Sequence, residues 1–217
     1  MRAIKASAII ETNIDGVGIC KAIEEAGRTC YKSEGKITGD SYIKFIEKIL
    51  KIGHHSVLEH ESIRVRFICD RGVTHEIVRH RLASYSQEST RYCNYSKEKF
   101  GNEITVIKPC FWSEDSIKYH LWEEGMSNAE KFYFDLITNH GAQPQEARSV
   151  LPNSLKTEIV MSCNIREWRH FFALRTSIKA HPQMREVAIP LFDMFKQKIP
   201  VLFDDIEVTE EARNWGV

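Results

Sequence analysis

Residues 62–91 carry the clearest information about the fold and read SIRVRFICDRGVTHEIVRHRLASYSQESTR. Apolar side chains and arginines alternate over residues 63–67, which is the period of a β-strand with one buried face. Residues 74–82 have the spacing of a short helix, and a polar stretch follows over residues 84–96. The region therefore predicts a half-buried strand that leads through a helix into a surface segment.

Three arginines and several hydroxyl groups lie in the second half of this region, from Arg79 to Arg91. Arginine suits an anion site because its planar guanidinium donates two parallel hydrogen bonds to a phosphate. On a regular helix Arg79 and Arg81 would point about 200° apart, so they reach one ligand only if the helix ends near Arg81. Otherwise they serve two ligands or two subunits, and a solvated basic face is the alternative interpretation. We expect an anionic nucleotide at this segment.

The rest of the chain mixes helical and strand patterns without the regular strand–helix alternation of a parallel sheet. The predicted strands cover residues 3–10, 63–67, 104–107 and 157–162, and the predicted helices cover residues 17–29, 40–51, 116–140, 166–175 and 185–198. A further short helix is expected to begin at Pro144 and end at Pro152, and Gly53 has the position of a helix C-cap. These patterns predict an α+β fold in one domain over residues 1–217.

The charges are balanced, with 30 Lys and Arg against 30 Asp and Glu in 217 residues. A nucleic-acid-binding protein normally carries a basic surplus, so this balance argues against that class and limits any anion site to a local group of arginines. The six cysteines form no CxxC pair, and no apolar run approaches the roughly 18 residues of a membrane span. We therefore expect a reduced, cytoplasmic protein that binds neither nucleic acid nor membrane.

A cluster of histidines precedes the predicted strand, in the sequence GHHSVLEH over residues 53–60. It resembles the inverted zinc motif HxxEH but holds one residue too many, and His75-Glu76 begins an HExxH motif that Arg79 leaves incomplete. We therefore expect no metal ligand in these motifs. The alternative function that uses the cluster is a metal-dependent nucleotide phosphohydrolase built on His54, His55, Glu59 and His60.

The same cluster has a structural interpretation as a capped helix. Ser56 would be the N-cap and Glu59 the third helical position, which together form a capping box. A helix start of this kind leaves free N–H groups for an anionic ligand. Since the chain holds neither common Gly-rich phosphate loop, we expect a nucleotide to be held mainly by side chains.

The order of several motifs is similar to that of a known enzyme family. Arg79-His80-Arg81, followed by seven residues and then Ser89, resembles the signature of the flavin-dependent thymidylate synthases. Further resemblances in order and spacing are Gly53-His54 with Glu59-His60, Ala26-Gly27-Arg28-Thr29-Cys30-Tyr31, Glu146-Ala147-Arg148 with Leu151-Pro152, and Leu174-Arg175. The likeness runs from about residue 3 to residue 195 and so covers nearly the whole chain.

The resemblance implies an α+β subunit with a central, mainly antiparallel sheet, flanking helices and a small helical part. It also implies a homotetramer whose active sites are shared between subunits. The implied reaction converts dUMP to dTMP, with methylenetetrahydrofolate as carbon donor and NADPH as the reductant of a bound FAD. A shared active site would allow Arg79 and Arg81 to serve different ligands at one interface.

Motif matching to the family also implies the site residues. For FAD they are His54, Ser56, Glu59, Arg79, His80, Arg81, Gln87, Asn164, Arg166 and His170, with His54 and Glu59 near the flavin. For dUMP they are Glu76, Arg79, Gln87, Ser89, Thr90, Arg91, Arg148 and Arg175. Three positions depart from the family pattern: Glu76 stands where Gln is common, Gln87 where Glu is common, and the segment 176–180 before His181 is longer than in some relatives.

The catalytic role is expected to fall on Arg175, because attack by C5 of uracil builds negative charge on the ring that a guanidinium stabilises. Arg91 and Ser89 would hold the phosphate and orient the substrate. Cys110 resembles the nucleophile of the cysteine-dependent thymidylate synthases, but the surrounding sequence does not match, and we expect a structural role. Ser89 has no evident paired base, so we do not expect it to be a nucleophile. A non-catalytic regulator that binds the nucleotide is a third interpretation.

Overall fold

The computed structural model describes residues 1–216 and contains two sheets. The strands are β1 (Arg2–Ile4), β2 (Ser7–Ile10), β3 (Ser62–Asp70), β4 (Ala83–Gln87), β5 (Thr105–Ile107) and β6 (Lys156–Asn164). Four of them form an antiparallel sheet in the order β2-β3-β6-β4, while β1 and β5 pair in parallel as a separate sheet. The mainly antiparallel sheet expected for this fold is therefore confirmed.

Helices flank the larger sheet and account for much of the remaining chain. They are α1 (Gly16–Thr29), α2 (Ser41–Ile52), α3 (Arg71–Ile77), α4 (Ile117–Thr138), α5 (Pro144–Ala147), α6 (Ile165–Arg175), α7 (Pro182–Lys198), α8 (Pro200–Phe203) and α9 (Glu210–Arg213). Short 3-10 helices cover Glu34–Lys36, His55–His60, Glu98–Phe100 and Arg148–Val150. No helix within residues 1–216 combines the length and the apolar character that a membrane span requires.

The two central strands, β3 and β6, pair along their whole length of nine residues each. Each strand runs directly into a helix, and its last residue caps that helix. Asp70 accepts a hydrogen bond from the main-chain N–H of Val73 at 2.7 Å, and Asn164 accepts one from that of Glu167 at 2.9 Å. Such caps satisfy N–H groups that the first helical turn leaves free. Helices α3 and α6 therefore begin at opposite ends of one strand pair.

The main core lies between this sheet and the helices, and alternate side chains of β3 and β6 point into it. Phe67 of β3 packs against Trp168 and Phe171 of α6, with ring centroids 6.4 and 5.8 Å away. Aromatic pairs of this kind add to the stabilisation from burial of apolar area. This packing holds α6 on the sheet and so fixes the side chains that α6 presents.

Most of the predicted elements are present, with ends shifted by a few residues. The alternating residues 63–67 form the centre of β3, and the helix predicted over residues 116–140 is α4, which Ser116 caps through its side chain. Gly53 is the C-cap of α2 with a φ of 76°, a left-handed conformation that favours glycine. The helices expected over residues 17–29, 166–175 and 185–198 are likewise confirmed as α1, α6 and α7.

One prediction about strands is wrong, and one strand was not predicted. The single strand expected over residues 3–10 is interrupted at Lys5-Ala6, because β1 pairs with β5 while β2 pairs with β3 in the other sheet. No strand was predicted in the polar stretch over residues 84–96, which overlaps the edge strand β4. Ala83 and Tyr85 pack against the core while Ser84 and Ser86 are exposed, but an alternation with only two apolar residues is too short to identify a strand.

Two predictions about helix ends are also wrong. The helix expected over residues 74–82 is α3, which ends at Ile77. The predicted capping box of Ser56 and Glu59 is absent, because the 3-10 helix His55–His60 has His54 at its N-cap and no side-chain cap. Ser56 therefore lies inside that helix and not in front of it.

Candidate functional site

The chain turns sharply between α3 and β4, and this turn carries the arginine motif. The hydroxyl of Tyr85 lies 2.9 Å from the carbonyl oxygen of Ile77 and 2.6 Å from that of His80, and donates its hydrogen to one of them at a time. Leu82 has a φ of 63°, a region that residues with a side chain adopt rarely. Tyr85 thus anchors the turn and ends α3 before Arg79.

Arg79 and Arg81 lie on this turn, so the opposed directions expected on a regular helix do not apply. Both side chains are exposed, and neither forms an ion pair within residues 1–216. Elsewhere on the surface, Arg64, Arg66 and Arg169 all pair with carboxylates. Two unpaired guanidinium groups on one turn are therefore free to bind an anionic ligand.

Arg175, the last residue of α6, is held by three hydrogen bonds. Its Nη1 donates to Oε2 of Glu76 at 2.7 Å, and its Nη2 donates to the carbonyl oxygen of Glu76 at 3.0 Å. Its Nε donates to Nε2 of His80 at 3.0 Å. The side chain is 18% exposed and borders a cavity of about 490 Å³ that His181 also lines. Arg175 is therefore a cation of fixed position beside open space.

His80 is the buried member of the motif, with 1% of its side chain exposed. Its Nδ1 lies 2.7 Å from Oε1 of Glu167, and the same oxygen lies 3.1 Å from Nδ1 of His170. Burial lowers the pKa of His80 below its ordinary value; the Arg175 charge adds to this shift and the Glu167 carboxylate opposes it. His80 is therefore neutral at pH 7, between a cation and a carboxylate.

The same three residues, His80, Glu167 and His170, are the only such group in residues 1–216 whose possible metal-ligand atoms all lie within 4.8 Å of one another. Their contacts are those of a hydrogen-bonded chain that continues to Arg175. The structure does not bring the cluster of the alternative phosphohydrolase together as a ligand group of this kind; its residues are His54, His55, Glu59 and His60. The alternative function is therefore not favoured.

Gln87 lies at the end of β4 and is held by two buried hydroxyl groups. Its side-chain amide lies 3.1 Å from Oγ1 of Thr74 and 3.4 Å from Oγ1 of Thr157, and donates to them. Glutamate at this position would instead have to accept from the hydroxyl groups. The two threonine hydroxyl groups can serve either side chain, and the amide oxygen of Gln87 accepts no hydrogen bond from the described chain.

The chain turns again after β4, at Ser89, whose carbonyl oxygen accepts from the main-chain N–H of Tyr92 at 3.1 Å. Thr90 is buried in this turn, and its hydroxyl oxygen lies 3.4 Å from Nη1 of Arg148. Arg91 and Arg148 are both exposed and have no carboxylate partner in the described part of the chain. The structure thus brings together residues 58 positions apart that were predicted to bind the same ligand.

The remaining residues predicted to contact the flavin surround two cavities that share Arg166. The larger, of about 1050 Å³, includes His54 and Ser56 in its lining, and the smaller, of about 520 Å³, includes Asn164 and His170. Nη1 of Arg166 lies 2.5 Å from Oε1 of Glu59. Lysine side chains also line the larger cavity: Lys36, Lys44 and Lys48. The surface of the larger cavity therefore suits phosphate groups.

Sequence analysis did not identify Glu167, Tyr85 and Thr157, whose side chains form hydrogen bonds with residues of the candidate site. Glu167 stands three residues after Asn164, the spacing of a capping box, so a helix start was the only signal it offered. The Tyr85 hydroxyl lies beside carbonyl oxygens only five and eight residues earlier, and Thr157 accepts a hydrogen bond from Gln87, 70 positions away. No local pattern marks such contacts.

Cys110 lies apart from these groups and faces Glu186 of α7. Burial is the largest cause that raises the pKa of the Cys110 thiol to about 12, and it also raises the pKa of Glu186 to about 7. The thiol is protonated at neutral pH and is therefore a poor nucleophile. This supports the structural role predicted for Cys110.

Comparison with known proteins gives consistent matches in sequence. Residues 16–201 match the family model described as "Thymidylate synthase complementing protein". A flavin-dependent thymidylate synthase of Geobacter sulfurreducens is 34% identical over 191 residues, covering 85% of this chain and 80% of the relative. The enzyme of the same name from Mycobacterium tuberculosis H37Rv is 36% identical over 207 residues, covering 88% of this chain and 80% of the relative.

Solved structures with the same fold belong to more distant sequences. Thymidylate synthase X from Helicobacter pylori, solved with FAD and dUMP, aligns with a TM-score of 0.72 at 24% identity over 93% of this chain and 98% of its own. A UMP/dUMP methylase from Streptomyces cacaoi, bound with 5-Br dUMP, aligns with a TM-score of 0.74 at 20% identity over 94% of this chain and 96% of its own. At these identities the alignments support the fold.

Proposed function

Because this chain belongs to the family of flavin-dependent thymidylate synthases, which are FAD-dependent transferases, we propose that it converts dUMP to dTMP. Methylenetetrahydrofolate donates the carbon unit and NADPH is the reductant. The reaction belongs to nucleotide biosynthesis in the cytoplasm. We also assign particular residues of this chain to the binding of these substrates.

The observation that carries the proposal is a set of unpaired arginines, together with one arginine that is held in a fixed position. The unpaired ones are exposed and have no carboxylate partner among residues 1–216: Arg79, Arg81, Arg91 and Arg148. Arg175 is instead fixed by Glu76 and His80. Both dUMP and FAD carry phosphate, for which guanidinium groups are well suited.

The residues present fit FAD. Its two phosphates need cations. Arg79 and Arg81 lie on the turn after α3, and Arg166 lines both cavities. His54 and Ser56 supply further polar groups in the larger cavity, as His170 and Asn164 do in the smaller one. When bound, FAD supplies the hydride chemistry, and the protein supplies position and electrostatics.

For dUMP we assign the phosphate to the turn after β4. Arg91 and Arg148 are the cations there, and Ser89 and Thr90 offer hydroxyl groups. These contacts orient the pyrimidine and lower the entropic cost of reaction. Gln87 accepts from or donates to the base, and its free amide oxygen supports this role.

Arg175 stabilises the negative charge of the enolate-like form of the pyrimidine, the form in which C5 is nucleophilic enough to attack the carbon donor. Its guanidinium is held from two sides by Glu76 and His80, so it does not have to reorient during the reaction. A fixed donor in a site shielded from water stabilises charge more strongly than a mobile one. Glu76 takes part by holding Arg175 and borders the same cavity.

We further propose that the active site is completed by other copies of the chain in a homotetramer. The exposed side chains of Arg79, Arg81 and Leu82 support this, since they lie together on a turn with open space on one side. Leu82 is 80% exposed, unusual for a leucine beside a candidate site. A partner subunit would cover it and would allow neighbouring arginines to bind different ligands.

The test is to purify the protein and follow its absorbance and its turnover. We expect a yellow protein that oxidises NADPH and forms dTMP only when dUMP and methylenetetrahydrofolate are both present. A colourless protein that neither takes up FAD nor oxidises NADPH would contradict the proposal. Metal-dependent release of phosphate from nucleotides would favour the phosphohydrolase, and dUMP binding without NADPH oxidation would favour a regulator.

A further inference from the structure

We propose that Glu167 is a positioning residue for Arg175 and acts through the imidazole ring of His80. The inference deepens the proposed function, on which its catalytic part rests. The geometry that carries it is a line of polar contacts: Glu167 to Nδ1 of His80 at 2.7 Å, and Nε2 of His80 to Nε of Arg175 at 3.0 Å.

The two contacts together fix the tautomer of His80. The Nε–H of Arg175 is always a donor, since guanidinium groups do not lose a proton in proteins. Nε2 of His80 must therefore be the acceptor and carry no hydrogen. In the neutral ring the hydrogen is then on Nδ1, and Nδ1–H donates to the carboxylate of Glu167. Glu167 thus selects the tautomer that can receive Arg175.

The burial of His80 strengthens the preference for this tautomer. The side chain of His80 is 1% exposed, so water does not compete for either ring nitrogen. The ring packs against Phe171 and His170, with centroids 4.9 and 5.3 Å away, which limits its rotation. The titratable and charged groups that face it are Glu167, Arg175 and His170. Without Glu167, Nδ1–H would be left buried without an acceptor, and the opposite tautomer would place two donors face to face at Arg175.

Glu167 is itself held in place for this task. Its main-chain N–H donates to Oδ1 of Asn164 at 2.9 Å, and its side chain is 13% exposed. Glu167 lies in the first turn of α6 and Arg175 is the last residue of the same helix. His80 joins the two ends of this helix from the neighbouring turn, so both ring nitrogens are used within the chain. We therefore assign the two ring nitrogens of His80 to Glu167 and Arg175.

The experiment compares Glu167→Leu, which removes the acceptor, with Glu167→Gln, whose amide oxygen can still accept from Nδ1–H. Glu114→Leu is the matched control, because it makes the same substitution at an exposed carboxylate that pairs with Lys108 and is not assigned to the site. Two readouts are taken from the FAD-loaded proteins. One is the ¹⁵N spectrum of the His80 ring, assigned by comparison with His80→Gln, and the other is kcat and KM for dUMP across pH.

We expect wild type, Glu167→Gln and Glu114→Leu to show the proton on Nδ1 of His80. Glu167→Leu should lose this tautomer, and its kcat should fall by about 100-fold, the loss typical of a displaced catalytic group. The KM for dUMP should change by less than about threefold, because ground-state binding is retained. Turnover in Glu167→Gln should stay near that of wild type. If Glu167→Leu does not hold FAD, Glu167→Asp replaces it, since the shorter side chain withdraws the carboxylate from Nδ1.

Two results would overturn the inference. One is a Glu167→Leu or Glu167→Asp protein that keeps both the Nδ1–H tautomer and wild-type turnover. The other is a Glu167→Gln protein that keeps the tautomer but loses turnover as severely as Glu167→Leu, which would make charge the decisive property. If wild type itself forms no dTMP, the proposed function fails, while the ring spectra still decide whether Glu167 sets the tautomer.

Discussion

The guanidinium of Arg175 holds both the side chain and the main chain of a single partner, Glu76. Nη1 lies 2.7 Å from the carboxylate oxygen Oε2, and Nη2 lies 3.0 Å from the carbonyl oxygen. The two residues are 99 positions apart, on α6 and α3. The contact with the carbonyl oxygen does not depend on the side chain at position 76. A mutation of Glu76 can therefore remove the negative charge beside Arg175 while the main-chain contact still holds the guanidinium in place.

The first prediction is that Arg175→Ala keeps its fold and FAD but loses most dTMP formation. The expected loss is about 3 kcal/mol of transition-state stabilisation, or on the order of a hundredfold in kcat, because one charge-stabilising donor is removed. Single-turnover dTMP formation measures it. Arg213→Ala, which breaks a surface pair with Asp193, is the control and should be near wild type. Near-normal turnover in Arg175→Ala would show that the assignment of Arg175 is wrong.

The second prediction concerns the charge of Glu76. We expect Glu76→Gln to keep kcat within about threefold or to raise it, since the amide oxygen can still accept from Arg175 while the opposing negative charge is gone. Unfolding by urea should show a loss of no more than about 1 kcal/mol, because the pair is partly exposed. A kcat reduced more than about tenfold, with Arg175 still in place, would mean that the carboxylate itself is needed in the reaction.

The third prediction concerns the phosphate of dUMP. Arg91→Gln should raise the KM for dUMP by about 10- to 100-fold, the equivalent of one hydrogen bond to a charged group, with a smaller change in kcat. Steady-state kinetics at two salt concentrations measures this, and the effect should shrink at high salt. Arg2→Gln, an exposed arginine in the other sheet, is the control. Equal KM values for wild type and Arg91→Gln would remove Arg91 from the phosphate site.

The fourth prediction is that Cys110→Ala retains thymidylate synthesis. The pKa of the thiol is raised to about 12 by burial, so almost none of it is thiolate at pH 7. We expect kcat to be near wild type and stability to change by about 1 kcal/mol at most. Complete loss of dTMP formation in a folded, FAD-bound Cys110→Ala protein would instead make Cys110 part of the reaction.

The fifth prediction links stability to pH through Glu186. Its pKa is raised to about 7, mainly by burial, so the folded protein holds a proton that the unfolded chain releases near pH 4.5. The stabilising contribution is fully present below pH 4.5 and is lost as the pH rises through 7. Relative to wild type, Glu186→Gln should gain about 1–2 kcal/mol between pH 5 and pH 8, after allowance for solvent screening. Denaturation curves that stay parallel across this range would contradict the pKa shift.

The secondary structure could be predicted where only one face of a helix or strand is buried, because the apolar residues then recur with the period of that element. The alternation over residues 63–67 identified β3, and the helical spacing over residues 116–140 identified α4. Strand β4 was missed because it is an edge strand with exposed serines, and its place is set by pairing with β6. The end of α3 was missed because the hydroxyl of Tyr85, from the next strand, decides it.

The site was predictable as a set of residue types but not as a set of contacts. Arg79, Arg81 and Ser89 lie close together in the sequence, so their spacing can be recognised without a structure. The bond between Arg175 and His80 joins positions 95 apart and depends on how α6 packs on the sheet. A single sequence contains no measure of such a distance, and for that reason the role of Glu167 became visible only in three dimensions.

The direct passage of β3 into α3 and of β6 into α6 limits where the chain can change in length. A residue inserted into β6 would turn its core-facing side chains toward the opposite face and would displace Asn164 from its cap. It would also carry Arg175 away from Glu76. The exposed turn at Gly101-Asn102, between the 3-10 helix Glu98–Phe100 and β5, leads into the other sheet and has no such connection to the site. A tag, a fluorescent reporter or a split point for complementation therefore belongs there.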